Sequence, residues 1–268
     1  MITYLKIPEE FMLNGNDLNN QITDSLKELH LPAIRKTYKN QSDVARKESL
    51  SYESYLLELL EREKEERREN RTNRLRRASK LPLEKTMEIF DRKRLPRKLD
   101  MQLGVLLDGS FIFRRENVLA FGNPGSGKTH LLCAIAHEML EQGKKVLFRP
   151  CSILVQELLI AKRELRLPRV LKQLSRYELI LIDDIGYVQQ SREEMEVLFT
   201  LLADRYERGS IMLTSNLPFS KWEQIFKDPM TTAAAIDRLV HHSIILELNL
   251  PSYRLEESKK EKEKGVEK

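Results

Sequence analysis

The residues best suited to chemistry form one short run rich in glycine, Gly122-Asn123-Pro124-Gly125-Ser126-Gly127-Lys128-Thr129. Glycines let the backbone turn tightly, so that successive N–H groups can point at phosphate oxygens from close range. At this spacing the lysine reaches the β- and γ-phosphates of a nucleotide, and the threonine hydroxyl coordinates Mg²⁺. An apolar segment precedes the run and an amphipathic one follows it. The sequence therefore predicts that residues 122–129 bind ATP and Mg²⁺, with His130 beside them at a helix start.

Two adjacent acids end a second apolar segment. Residues 179–182 are all apolar and lead directly into Asp183 and Asp184. In parallel sheets the ligand crevice lies beyond the carboxyl ends of the strands. An ATPase needs one carboxylate to hold the metal and another to polarise the attacking water. We expect Asp183 to hold Mg²⁺ together with Thr129, and Asp184 to activate the water.

Three later residues are further candidates for the nucleotide site. Asn216 ends the strand-like segment 210–216, and we predict that it orients the attacking water, although Asn-Leu-Pro also resembles a turn start. Arg238 is predicted to act on the γ-phosphate of a neighbouring subunit, the alternative being a local pairing with Asp237. Arg254 is a candidate to sense nucleotide from its own chain. Arg205 is a weaker competitor, expected on a surface helix.

The elements that must position these residues begin near Leu103. From there short apolar runs alternate with amphipathic helices, which is typical of a parallel sheet covered on both faces. The predicted strands are 117–121, 145–148, 179–182, 211–213 and 244–248. The predicted helices are 129–142, 152–162, 191–208, 220–226 and 233–240, with capping boxes at 191–194 and 220–223. His130, Cys133 and His137 share one helix face, but that helix must pack on the sheet, so we disfavour a metal site there.

Residues 17–100 have a different pattern, helical and polar. Tyr52, Tyr55, Leu56, Leu59 and Leu60 recur at helical spacing behind Ser51, a plausible N-cap, and predict one apolar stripe. A basic set follows within fourteen residues, made of Arg67, Arg68, Arg71, Arg74, Arg76, Arg77 and Lys80. Residues spaced three apart share a helix face, which suits the phosphates of duplex DNA and needs no particular base sequence. The alternative is a solvated helix whose charges pair with Glu61, Glu65 and Glu69.

Composition narrows the classes of protein that fit. The 268 residues carry a net charge of +5 and two cysteines, Cys133 and Cys151, without a C-x-x-C pair. The sequence shows no signal peptide and no run of apolar residues long enough to cross a membrane, so we expect a cytoplasmic protein without a membrane partner. Residues 256–268 mix lysine with glutamate and are predicted to be disordered.

Taken in order, these motifs resemble the IstB-like and helicase-loader branch of AAA+ ATPases. The resemblance extends over residues 111–131, 179–186, 214–216, 236–239 and 252–254, and in this branch the Asp-Asp pair is usual although most AAA+ proteins have glutamate second. The segment 52–60, followed by the basic set and Leu81-Pro82, resembles the helical N-terminal region of IstB-like transposition helpers. The resemblance implies an AAA+ P-loop αβα sandwich with a five-stranded parallel sheet and a small all-α N-terminal domain before it. Because few residues follow the fifth predicted strand, we expect no C-terminal lid.

The same resemblance implies a function. Such proteins assemble on duplex DNA with ATP, distort it and pass a target site to the transposase of the same insertion element. We accordingly expect a helical, basic domain for DNA binding and assembly over residues 1–100 and an ATPase core over 101–255, with ATP sites between the subunits of a homo-oligomer. Two alternatives remain open. One is a replicative helicase loader, and the other is a nucleotide-dependent scaffold with little hydrolysis.

Overall fold

The computed structural model describes residues 15–186, 191–226, 228–253 and 255. Arg254 and the predicted disordered tail, 256–268, lie outside these residues. The helices are α1 (Gly15–Glu28), α2 (Pro32–Lys47), α3 (Tyr52–Ser79), α4 (Arg97–Leu107), α5 (Ser110–Phe113), α6 (Lys128–Glu141), α7 (Cys151–Arg163), α8 (Leu167–Leu174), α9 (Arg192–Arg205), α10 (Glu223–Phe226) and α11 (Pro229–Val240). The strands are β1 (Asn117–Gly122), β2 (Val146–Pro150), β3 (Leu179–Ile185), β4 (Ser210–Ser215) and β5 (Ser243–Leu248).

The five strands form one parallel sheet in the order β2-β3-β4-β1-β5. The predicted αβα sandwich is confirmed. Four of the predicted strands extend by one to three residues, while β2 begins one residue later and ends two residues later than predicted. Successive side chains of β1 point to opposite faces. Val118 and Ala120 join the core under α4 and α6, whereas Leu119 joins the core under α7, α9 and α11. Because β1 is covered on both faces, its central residues, 118–120, had to be apolar.

By its internal contacts the chain divides into two compact units, residues 1–71 and 72–268. The domain boundary expected at residue 100 therefore falls inside the second unit. The physical reason is that Leu81, Leu95 and Leu99 are buried in the core that α6 shares with the sheet. Among the described residues, no helix is long and apolar enough to cross a membrane.

The first unit has a small core of its own. Ile34, Tyr38 and Leu59 are its buried members. The prediction that five apolar residues of α3 form one buried stripe is wrong. Only Tyr55 and Leu59 pack into this core, whereas Tyr52, Leu56 and Leu60 are exposed. The predicted N-cap is confirmed, since the Ser51 hydroxyl accepts a 3.1 Å hydrogen bond from Ser54 N.

Two predictions in the second unit are also corrected. The capping box expected at 220–223 is replaced by a 3₁₀ turn, Phe219–Lys221, ahead of α10. Arg205 was expected on a surface, but its side chain is 2% exposed. Its guanidinium donates to the carbonyls of Tyr177, Glu178 and Ser210 at 2.7, 3.2 and 3.0 Å, so it ties α9 to the starts of β3 and β4. Burial lowers the pKa of Arg205 to about 10, which keeps it charged near neutrality. Its role is structural.

Candidate nucleotide site

The glycine-rich run forms the turn between β1 and α6. Gly125 and Gly127 have φ values of +78° and +97°, a region that side chains rarely tolerate. A Cβ on Gly122 would lie 2.2 Å from Leu248 O, so this position also requires glycine. Ser126 is 2% exposed, and its Oγ has no hydrogen-bond partner among the described residues. A loop of this shape, with a buried hydroxyl unpaired, fits a bound phosphate group.

Lys128 is the first residue of α6 and is almost completely buried. Its Nζ donates to Gly122 O and Asn123 O, both at 2.9 Å, and to Asn216 Oδ1 at 2.6 Å. Asn216 directly follows β4, which pairs with β1. The structure thus brings the loop lysine and the candidate sensor into contact at the carboxyl edge of the sheet.

Asp183 receives two hydroxyl groups. Its Oδ1 accepts hydrogen bonds from Thr129 Oγ1 at 2.8 Å and from Thr214 Oγ1 at 2.7 Å. The carboxylate is buried at the end of β3, so both bonds act in a low-dielectric setting. Thr129 and Asp183 therefore form an oxygen-donor pair of the type that holds Mg²⁺ through water. Nothing in the sequence reasoning gave Thr214 a role.

Asp184 is placed differently from its neighbour. It is exposed and has φ of +58°, within the register shift between β3 and β4. Its backbone N–H donates to Thr214 Oγ1 at 2.8 Å, the same hydroxyl that donates to Asp183. Bulges of this kind redirect side chains next to active sites. Here the irregular backbone lets two consecutive acids take up different positions.

A cleft of about 610 Å³ opens in front of these residues. The cleft is lined by the phosphate loop and by two further segments of the chain. One of these segments precedes β1 in the sequence, and the other follows β5. The described lining residues are Glu84, Lys85, Ile89, Phe90, Asp91, Arg94, Pro124, Gly125, Ser126, Gly127, Lys128, Thr129, His130, Asp184, Asn216, Leu250 and Tyr253. A volume of this size is typical of small-molecule sites. The sequence predicted no part in the site for residues 84–94, because this segment has no periodic pattern.

His130, Cys133 and His137 serve the packing of α6. The Nε2 atoms of His130 and His137 lie 3.1 Å from Thr86 O and 2.9 Å from Pro82 O. Burial lowers the pKa of His130 and raises the pKa of the Cys133 thiol to about 12. Both imidazoles are thus engaged with backbone carbonyls, and the buried thiol is protonated near neutrality.

Arg238 lies at the other end of the sheet. Leu239 O accepts a 3.1 Å hydrogen bond from Asn117 Nδ2, at the start of β1, whereas the phosphate loop follows the end of that strand. Six strand residues span about 20 Å. Arg238 Nη1 donates to Ala234 O, and its guanidinium lies 5.0 Å from the Phe199 ring centroid. Within one chain, Arg238 is therefore not part of the cleft.

The seven basic residues predicted for DNA are all exposed in the structure. Six of them lie on α3 and Lys80 directly follows it. Arg67 pairs with Glu63, and Arg76 pairs with Glu141. Glu61, one of the acids expected to neutralise the set, pairs instead with Lys64.

The fold and the cleft together define a P-loop nucleotide-binding protein of the AAA+ class. The chain belongs to the IstB-like ATP-binding family, whose model, described as IstB-like ATP binding protein, matches residues 24–261. It is an insertion-sequence-associated member of that class.

Relatives with insertion-sequence names support this placement. The insertion-sequence ATP-binding protein y4iQ/y4nD/y4sD of Sinorhizobium fredii is 39% identical over 85% of this chain and 77% of its own length. The IS5376 ATP-binding protein of Geobacillus stearothermophilus is 36% identical over 92% and 98%. Among solved structures, AMPPCP-bound DnaA from Aquifex aeolicus has a TM-score of 0.54 at 19% identity, covering 69% of this chain and 57% of its own. That last likeness concerns the fold.

Proposed function

We propose that this chain hydrolyses ATP at the cleft, assembles on duplex DNA and regulates the transposase of the same insertion element. The observation that carries the proposal is the convergence of Lys128, Thr129, Asp183 and Asn216 at one edge of the sheet. The insertion-sequence relatives support the genetic setting. The fold alone would fit many ATPases. The proposed link to transposition therefore rests on the family, and the proposed ATP hydrolysis rests on the residues of the site.

Each side chain of the site has a distinct part in this proposal. Lys128 binds the β- and γ-phosphates, while Thr129 and Asp183 hold Mg²⁺, which supplies charge neutralisation when bound. Asp184 polarises the water that attacks the γ-phosphorus as the bond to the ADP oxygen breaks. Asn216 orients that water. These roles agree with the exposure of Asp184 toward the cleft and the burial of Asp183.

Arg238 completes the site only from a second chain. Its position at the start of the sheet is too far from its own phosphate loop, which supports the proposed homo-oligomer with nucleotide between subunits. In the single chain the guanidinium rests on Phe199 and Ala234 O. Contact with a neighbour's nucleotide would require it to leave these partners.

Charge supports the DNA part of the proposal. The basic set on α3 is exposed, and a second basic face lies on α8. Leu167, Val170, Leu171 and Leu174 of α8 pack inward. The exposed cations at and around the opposite face are Arg166, Arg169, Lys172 and Arg176. Phosphate contacts of this kind are individually weak and add up when several chains bind one duplex.

ATP turnover and assembly on DNA test the proposal together. We expect steady-state hydrolysis to rise when linear duplex DNA is added, and sedimentation to show larger species with ATP and DNA than with either alone. Absence of turnover under all conditions would favour the scaffold. Pull-down of a hexameric replicative helicase in place of the transposase would favour the loader. Either result overturns the corresponding part of the proposal.

A further inference from the structure

The segment that follows β5 lies directly against the phosphate loop. Tyr253 N donates a 3.0 Å hydrogen bond to Gly125 O. A Cβ on Gly125 would lie 2.2 Å from Ser252 Oγ and 3.0 Å from Ser252 Cβ, so this glycine has no free space on that side. The conformation of the loop therefore depends on where residues 251–253 are held.

Arg94, in the segment that precedes the sheet, holds residues 251–253 in place. Arg94 is the last residue of a 3₁₀ turn, Arg92–Arg94. Asp91 caps the start of this turn, since its side chain accepts a 3.1 Å hydrogen bond from Lys93 N. Arg94 Nη2 donates to Pro251 O at 3.0 Å, and its guanidinium lies 5.1 Å from the centroid of the Tyr253 ring. One side chain thus makes a hydrogen bond and a cation–π contact to the same three-residue segment.

Both partners also line the cleft. Arg94 and Tyr253 line it together with Phe90, Ile89 and Leu250. With the phosphates on the glycine loop, the remaining part of the cleft is left for the ribose and base. An aromatic and aliphatic wall of this composition suits a planar base.

We propose that Arg94 is a positioning residue of the nucleotide site. It fixes Pro251–Tyr253 against Gly125, so that the phosphate loop and the Tyr253 ring are already in place when nucleotide arrives. The inference rests on the proposed nucleotide site and adds a residue that precedes the sheet in sequence. Such preorganisation acts on nucleotide affinity and leaves the hydrolytic step to Asp184 and Asn216.

The test compares nucleotide affinity with turnover in Arg94 variants of the full chain. We expect Arg94→Ala to weaken binding of a fluorescent ATP analogue about tenfold, and to leave kcat at saturating ATP within about twofold. Arg94→Lys should recover most of the affinity, because an ammonium keeps one donor and a charge over the ring. Tyr253→Ala should match Arg94→Ala, and the double variant should lose no more than either one.

Arg92→Ala is the matched control. Arg92 lies in the same turn, but its guanidinium pairs with Asp100 at 2.7 Å. Unchanged ATP affinity in Arg94→Ala, or an equal loss in Arg92→Ala, overturns the inference. Tyr253→Phe keeps the ring and should bind normally, so a loss there also counts against it. A wild-type chain that binds no ATP refutes the nucleotide site itself, which is a different outcome.

Discussion

Lys128 Nζ donates a 2.6 Å hydrogen bond to Asn216 Oδ1, although 88 residues separate the two along the chain. The contact exists because β1 and β4 are neighbours in the sheet and both residues follow the carboxyl ends of these strands. It joins the group proposed to bind phosphate to the group proposed to orient water. A change at one of them is therefore felt at the other.

Asn216→Ala should separate turnover from binding. We expect hydrolysis to fall about 10- to 100-fold, since a hydrogen bond to a charged group is removed, while ATP affinity changes only a few-fold. Lys128→Ala should instead abolish binding. Steady-state ATPase rates and titration with a fluorescent analogue measure the two effects. Asn40→Ala, an exposed amide on α2, is the control, and equal turnover in Asn216→Ala and wild type contradicts the sensor role.

Asp184→Asn should nearly abolish hydrolysis and leave ATP binding intact. The amide has almost the same size but cannot take up a proton from water, so a loss of at least about 100-fold is expected. Asp183→Asn should behave differently, weakening the dependence of binding on Mg²⁺. Single-turnover assays across a Mg²⁺ series distinguish the two aspartates. Turnover preserved in Asp184→Asn would remove that residue from the mechanism.

Thr214→Val should damage both stability and activity. The variant keeps the shape of the side chain and removes the hydroxyl that joins Asp183 to the backbone of Asp184. Asp183 would keep its hydrogen bond from Thr129, but the Asp184 N–H would lose the one it makes to Thr214, which costs about 1–3 kcal/mol. Urea unfolding measures that loss, and turnover should fall with it. Thr214→Ser retains the hydroxyl and should stay close to wild type, whereas identical behaviour of the serine and valine variants would contradict the bridging role.

The sequence was sufficient for the sheet and the phosphate loop because their signals are local. A buried parallel strand must be a continuous apolar run, and the loop needs glycines at fixed spacing. The prediction that the chain is a five-stranded AAA+ sandwich is confirmed. The role of each candidate side chain stays a prediction. The position of these side chains at the carboxyl edge of the sheet could be predicted, because each of them follows a predicted strand.

What could not be foreseen depends on contacts between distant segments. Arg205 has the sequence context of a surface residue, and only its carbonyl partners just before β3 and at the start of β4 explain its burial. Arg94 belongs to a stretch without periodicity, and its partners follow β5. Helix α8 is short and begins with Leu-Pro, so no helical pattern was recognised. On α3 the apolar residues outnumber the positions that the small core can cover.

Replacing the arginines of α3 should weaken DNA binding without changing sequence preference. We expect an Arg71→Gln, Arg74→Gln and Arg77→Gln triple variant to reduce the slope of log affinity against log salt by about 0.9 for each phosphate that it no longer neutralises. Fluorescence anisotropy on two unrelated duplexes measures this. A control triple variant replaces exposed cations of α2, namely Lys39, Arg46 and Lys47. The same slope in both triple variants would argue against α3 as the surface that binds DNA.

Stability of the first unit should fall at acid pH through Glu63. Burial opposes its ionisation, but hydrogen bonds from Arg67 and from the N–H groups of Ile34 and Ala33 outweigh this and lower the pKa of the carboxyl. The stabilisation is therefore complete above the ordinary carboxyl range and disappears as pH falls through the lowered pKa.

Glu63→Gln provides the comparison. The carboxylate caps α2, accepting from Ala33 N at 2.9 Å and Ile34 N at 3.2 Å. The amide oxygen can still accept these bonds but carries no charge, so we expect a lower melting temperature at about pH 7 and less change between neutral and acid pH. Thermal circular dichroism measures both. A parallel acid-induced decline in wild type and variant would show that other carboxyls are responsible.

The contact between Gly125 and Ser252 also restricts how this sequence can diverge. A methyl group on residue 125 would collide with the serine side chain, and the φ of +78° penalises it again. A larger residue at 252 would meet the same loop from the other side. Substitutions at the two positions are thus not independent, and a tolerated change at 252 is confined to small residues while 125 stays glycine. We therefore expect residues 125 and 252, far apart in the chain, to be substituted only in a coordinated way.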